Sequence, residues 1–182
     1  MAKNILITGA TGLVGKKLIP ALQALGHKIA ILSRKKTNIN GVQVYLWDVY
    51  KQQIDKDCLN DIDTIIHLAG EGIADKKWTK ERKKQIIDSR VLAAQLLYKT
   101  IQETKAPVKS FISASAVGFY GDRADEVLTE TSAPGDGFLA DCCIAWEKAV
   151  DEGKQFDIRI LKFRTGVVLT TEGGALPQLG QP

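Results

Sequence analysis

The sequence predicts an α/β fold: a mainly parallel six-stranded sheet, doubly wound, with helices on both faces. Three observations predict it. Short, β-branched apolar runs recur along the 182 residues, and most are too uniformly apolar to keep one face in water. Segments with apolar residues at helical spacing alternate with these runs, as crossover connections between parallel strands require. The first run ends in a glycine-rich turn, "TGATGLVG" (Thr8–Gly15), which opens directly into a helical segment.

"NILIT" (Asn4–Thr8) is the first buried strand. Val14, Leu18, Leu22 and Leu25 then repeat at helical spacing, with Gly26 placed to end the helix. Pro20 inside that helix removes the bond to the Lys16 carbonyl, at about 3 kcal/mol in an unadapted helix, so a local kink is expected. "KIAILS" (Lys28–Ser33) and "VQVYLW" (Val42–Trp47) are the second and third strands, and "TIIHLAG" (Thr64–Gly70) the fourth. Ile87, Val91, Ala94, Leu97 and Ile101 define a long helix over Lys80–Gln102. "KSFISAS" (Lys109–Ser115) is the fifth strand, Asp141–Asp151 a helix, and "FDIRILKF" (Phe156–Phe163) the sixth strand.

The composition, 45% hydrophobic and 25% charged, suits one ordinary domain with a sizeable core. A net charge of +4 accommodates a small anionic ligand but is too weak to point to nucleic acid. The basic stretch "KKWTKERKK" (Lys76–Lys84) accordingly reads as a solvated helix start. Three cysteines with neither a metal-ligand nor a CxxC spacing predict reduced thiols and a cytoplasmic setting. No apolar run approaches the roughly 20 residues that span a bilayer, so neither a membrane span nor a signal peptide is expected.

Gly9, Gly12 and Gly15 carry the clearest chemistry. A dinucleotide pyrophosphate needs a tight turn, then backbone without a Cβ, then a helix packed close to the strand. The helix N-terminus adds free N–H groups and about half a positive charge. This is the phosphate end of a Rossmann fold. At the end of the second strand, where a free ribose 2′-hydroxyl would call for an acid, the chain reads "SRKKT" (Ser33–Thr37). Arg34 can grip a 2′-phosphate bidentately and Ser33 can donate to it, which predicts NADP(H) as the cofactor.

With these motifs in view, the chain resembles the short-chain dehydrogenase/reductase superfamily in its extended, epimerase/dehydratase-like branch. The resemblance is carried by "TGATGLVG", by "WD" (Trp47–Asp48) and by "HLAG" (His67–Gly70). More specific is "HLAGEGIADKKWTKERKKQIIDSRV" (His67–Val91), which looks like the signature of the epimerase family protein subgroup related to SDR family 39U. "SASAVGFYG" (Ser113–Gly121), "WEKA" (Trp146–Ala149) and "RTGVVL…GGAL" (Arg164–Leu176) continue it. Gly72 departs from the subgroup, which has Asn there.

The resemblance implies that Gly9, Thr11, Gly12, Leu13, Val14 and Gly15 follow the pyrophosphate and that Asp48 contacts adenine. It also implies that Leu68, Ala69, Gly70 and Glu71 line the cofactor cleft and that Arg90 points back towards the cofactor. His67, a lone histidine ending an apolar strand, reads as a core residue. The resemblance further implies a cofactor domain over residues 1–170, with 171–182 beginning the connection to a substrate domain largely missing from this chain.

Relatives in this superfamily open a helix with Tyr and, four residues on, Lys; the lysine lowers the phenol pKa for proton exchange. Aligned through Glu147, those positions are Leu139 and Cys143 here, and no tyrosine of the chain has a lysine four residues later. Leucine carries no proton, and a thiol of pKa about 8.5 carries no fixed positive charge. Ser113, Ser115 and Tyr120 are the remaining catalytic candidates, Ser115 favoured for substrate contact at a strand's C-terminal end and Tyr120 as a substitute phenol. Cys142 and Cys143 read as small helix residues. Two functions stay open. One is an NADP-dependent oxidoreductase or nucleotide-sugar epimerase-like enzyme acting on a nucleotide sugar or carbonyl compound. The other is a non-catalytic NADP(H)-sensing binding protein.

Overall fold

The computed structural model describes residues 2–174. Strands β1 (Asn4–Thr8), β2 (Lys28–Ser33), β3 (Val42–Asp48), β4 (Gln53–Ile54), β5 (Thr64–His67), β6 (Ser110–Ala116) and β7 (Arg159–Thr165) form one sheet in the order β4-β3-β2-β1-β5-β6-β7. Helices α1 (Leu13–Ala24), α2 (Lys80–Thr104) and α3 (Phe138–Asp151) cover it. The sheet thus has seven strands where the sequence predicts six. The extra one, β4, pairs antiparallel with the end of β3 (Trp47 opposite Ile54). At two residues it is too short to show a period. A turn held by Asp48 forms the hairpin: its Oδ1 accepts from the N–H of Tyr50 at 3.1 Å and of Lys51 at 3.0 Å.

The strands are apolar on both sides because helices lie on both faces. Ile5, Ile7, Ile29, Ile31 and Ile66 pack with Ile19 of α1. Leu6, Leu32, Ile65 and Phe111 pack with Ala93 and Leu97 of α2 and with Trp146 and Val150 of α3. Helix α1 continues through Pro20, which lies exposed, so water can satisfy the carbonyl that the proline leaves unpaired. α3 begins one turn before its predicted start, at Gly137 with φ +95°, and so takes in Leu139. β7 starts later than predicted because residues 152–156 form a 3-10 turn.

β8 (Leu169–Thr170) and β9 (Gly173–Gly174) form a small antiparallel ribbon tied to α1 by a Lys17–Glu172 ion pair at 2.6 Å. Of the predicted connection over 171–182, residues 175–182 lie outside the described residues. No helix among the described residues is long and apolar enough to cross a membrane.

The chain builds outwards from β1 to β2 and β3, then returns to place β5 on the other side of β1. This reversal opens a crevice beyond the C-terminal ends of β1 and β5, where ligands bind in open α/β sheets. Thr8 and His67 face each other at its rim.

Candidate cofactor site

The turn after β1 is built by close backbone approaches. Gly9 has φ +68°, and a Cβ there would sit 2.7 Å from the Leu68 carbonyl. A Cβ on Gly15 would meet backbone atoms of Ala10 at 2.5–2.7 Å, so only glycine lets α1 seat this near the turn. Gly12 is the N-cap of α1, and no side chain caps that end. Its own N–H bonds back to Gly9 O at 3.0 Å, and a helix end without a side-chain cap leaves first-turn N–H groups for an anion. Thr11, Gly12 and Val14 are exposed along this edge, and Leu13 is half-buried.

The floor of the crevice is fixed by one hydroxyl. Thr8 Oγ1 accepts from the N–H of Leu68 at 3.2 Å and of Ala69 at 3.1 Å, and lies 2.8 Å from His67 Nδ1. The hydroxyl and Nδ1 share one hydrogen bond, and the buried Nε2 has no partner among the described residues. The Leu68 N–H also reaches the Thr8 carbonyl at 3.2 Å, and β5 ends just before it, at His67 and not at the predicted Gly70. The His67 ring packs against Phe111 and edge-on to Trp146, with no exposure. Burial, and secondarily the Arg90 charge, push its pKa down to about 4.

This sets a pH dependence. The unfolded histidine titrates near 6.5, so between that value and about 4 the unfolded chain binds the extra proton and stability falls as pH falls. Urea unfolding of the wild type between pH 7 and 4 should show a loss on the order of 3 kcal/mol that His67→Asn does not show. Equal pH slopes in the two proteins would refute the neutral, buried assignment.

Beyond the floor, residues 70–72 are carried by α2. The Ser89 hydroxyl accepts from the Glu71 N–H at 3.0 Å, and Arg90 donates to the Glu71 carbonyl at 3.0 Å. Gly70 lies flat on the Arg90 guanidinium, where a Cβ would meet Cζ at 2.8 Å. Arg90 is itself buried over the Trp146 ring, so it holds the cleft wall from behind. The Asp75 carboxylate occupies the space a side chain on Gly72 would need.

The Glu71 carboxylate bridges two guanidiniums, Arg34 Nη1 and Arg82 Nη1, each at 3.1 Å. The end of β2, free of acid in sequence, thus has an acid beside it in space, brought from the end of β5. Sequence spacing alone could not reveal this, because β1 lies between the two strands. Ser33 is half-buried and accepts from the Lys35 N–H at 3.3 Å. Asp48 stands at the end of β3 with Oδ1 engaged in its own turn.

On the far side, Leu139 and Cys143 face the turn Val117–Tyr120. A Cβ on Gly118 would lie 3.3 Å from Leu139 Cβ and 3.9 Å from Cys143 Sγ. Burial raises the pKa of both the Cys142 and Cys143 thiols, so neither supplies a thiolate at neutral pH. Ser115 is buried and its hydroxyl donates to Glu147 Oε1 at 2.7 Å. Tyr120 donates to the Thr129 carbonyl at 3.0 Å and accepts from Arg164 at 2.9 Å. Arg164 closes the cluster with a two-pronged grip on Glu147, at 2.8 and 2.9 Å, and stacks on Phe119 with Cζ 3.5 Å from the ring centroid. In sequence Glu147 serves only as an alignment anchor and Arg164 only as part of a motif, and neither is read there as a partner of Ser115 or Tyr120. A buried acid on an apolar helix face was the available signal. Next to Leu139 lies a cavity of about 290 Å³, walled by Trp78, Phe138, Gly118, Gly121 and Asp136.

Set beside known proteins, residues 5–138 match the NAD dependent epimerase/dehydratase family. An epimerase family protein of Bacillus subtilis is 36% identical over 182 residues, a match that takes in 98% of this chain and 59% of the relative. The nucleoside-diphosphate sugar epimerase of Corynebacterium glutamicum superposes with a TM-score of 0.83 at 40% identity, over 98% of this chain and 37% of that one. The human epimerase family protein SDR39U1, solved with NADPH, gives a TM-score of 0.77 at 27% identity, over 97% of this chain and 58% of its own. The chain thus spans a little over half the length of the curated relatives it matches.

Proposed function

We propose, from the premise that this chain belongs to the NAD dependent epimerase/dehydratase family, that its β1–α1 turn binds NADP(H) for hydride exchange with a small carbonyl compound or nucleotide sugar. The observation that carries the reading is the cradle. Three glycines stand where any Cβ would crowd backbone, under an uncapped helix N-terminus. The residues present fit a dinucleotide: Gly9, Thr11, Gly12, Leu13, Val14 and Gly15 would hold its pyrophosphate. Leu68, Ala69 and Gly70 would form its floor, with Ser33 and Arg34 at the 2′-phosphate and Asp48 at the adenine end. When bound, the nicotinamide supplies the hydride. The C. glutamicum and human neighbours, a nucleoside-diphosphate sugar epimerase and a structure with NADPH, support this choice of substrate and cofactor.

Calorimetric titration tests the cofactor. Wild type should bind NADPH more tightly than NADH, and Arg34→Ala should weaken NADPH about 10- to 100-fold, as the loss of a charge-assisted contact of about 1.5–3 kcal/mol implies. NADH affinity should stay within about twofold. An Arg34→Ala protein that keeps its preference would refute the role.

A second reading, occupancy sensing without turnover, is favoured by one observation. The hydroxyls of Ser115 and Tyr120 are both engaged with the Glu147–Arg164 cluster, and the family resemblance puts Leu139 and Cys143 where the acid/base pair would stand. Transfer of deuteride from labelled NADPH to a panel of nucleotide sugars and carbonyl compounds separates the two. Label in any product supports the enzyme, whereas tight NADPH binding with no labelled product supports the sensor.

A further inference from the structure

Arg34, the residue assigned to the 2′-phosphate, already holds an anion. Its partner Glu71 is the fixed member of the pair. The Glu71 backbone is pinned at N–H and carbonyl by Ser89 and Arg90, and its second carboxylate oxygen is held by Arg82. The Arg82 side chain is only 8% exposed and also bonds the Gly72 carbonyl at 2.7 Å. The Arg34 side chain, by contrast, is 75% exposed. A phosphate arriving at Arg34 meets a carboxylate that cannot retreat. It must take the guanidinium from Glu71 or share it at close range with a like charge. A ribose carrying a plain hydroxyl meets no such repulsion and can donate to the same oxygen.

We infer that Glu71 is a specificity-determining residue, which holds down the preference for a 2′-phosphorylated cofactor by competing with that phosphate for Arg34. The inference rests on the reading that Arg34 grips the phosphate. The Arg82 bond, chiefly, keeps the Glu71 carboxyl below the usual carboxylate range, so the competitor stays charged at neutral pH.

The test is calorimetry with NADPH and NADH on wild type, Glu71→Gln, Arg34→Ala and the double variant, with thermal melts alongside. Removing the carboxylate charge that competes for Arg34 should tighten NADPH about tenfold in Glu71→Gln, the scale of one screened charge pair near the surface. NADH should be unchanged or weaker, and the gain should vanish when Arg34 is absent. Weaker NADPH binding, an equal gain for both cofactors, or a gain that survives in the double variant would overturn the inference. Should Glu71→Gln fail to fold, Glu71→Asp decides: it keeps the charge but shortens the reach to Arg34, and NADPH alone should tighten. A wild type that binds neither cofactor removes the cofactor reading itself, an outcome distinct from a wild type that binds NADPH while Glu71→Gln changes nothing.

Discussion

Replacing Gly9 with valine is expected to abolish measurable NADPH binding and to lower the stability of the fold by roughly 2–6 kcal/mol. Two independent costs add. A β-branched residue at φ +68° is strained by about 1–3 kcal/mol, and its Cβ, 2.7 Å from the Leu68 carbonyl, overpacks backbone at a similar cost. The displaced segment is the one whose N–H groups the Thr8 hydroxyl holds, so the floor of the crevice moves with it. Gly26→Ala is the control. Gly26 also has positive φ, but nothing lies within 4 Å of its Cβ position. That variant should lose stability while keeping its NADPH affinity. Titration and denaturant melts on the two proteins check both statements, and a Gly9→Val protein that binds NADPH like wild type would contradict the cradle.

Removing the Glu147 carboxylate is expected to cost more than any surface charge, about 3–5 kcal/mol for Glu147→Ala. The Glu147 side chain is 7% exposed and Arg164 18%. Deletion leaves a guanidinium, the Ser115 hydroxyl and the Lys162 ammonium, 3.4 Å away, without their common anion. Burial alone would raise the Glu147 pKa. The bonds from Arg164 and Ser115, with the charges of Arg164 and Lys162, more than offset that and hold it below the ordinary carboxylate value. Urea unfolding should therefore place Glu147→Ala far below wild type and Glu147→Gln between them. A loss under about 1 kcal/mol in the alanine variant, the range of an exposed pair, would show that the cluster carries little.

The strand–helix alternation was legible because buried parallel strands are short and apolar while the helices repeat at 3.6 residues. Pairing that depends on side-chain capture was not. The N–H groups of Leu68 and Ala69 gather on a threonine that stands 59 residues before His67, and β4 follows a turn held by Asp48. In the site, Gly12 and Gly15 could be read locally, since each answers backbone within five residues, Gly9 O and Ala10, whereas the carbonyl that Gly9 must clear comes from Leu68 at the end of another strand. The Arg34–Glu71 pair could not, because it joins the ends of strands that sequence order separates. Ser115 and Tyr120 show the same limit: their types and positions suit catalysis, yet the partners that occupy their hydroxyls come from α3 and β7.

The Glu147–Arg164 cluster also bears on kinetics. It draws together β6, the turn after it, α3 and β7, so it can close only once the last large strand has joined the sheet, whereas β1 to β3 pair through short crossovers. Contacts that wait on four elements to assemble fall late on the folding route. Their loss then accelerates escape from the native basin without slowing arrival. On this topology the cluster governs how long each folded molecule lasts, more than how quickly it forms.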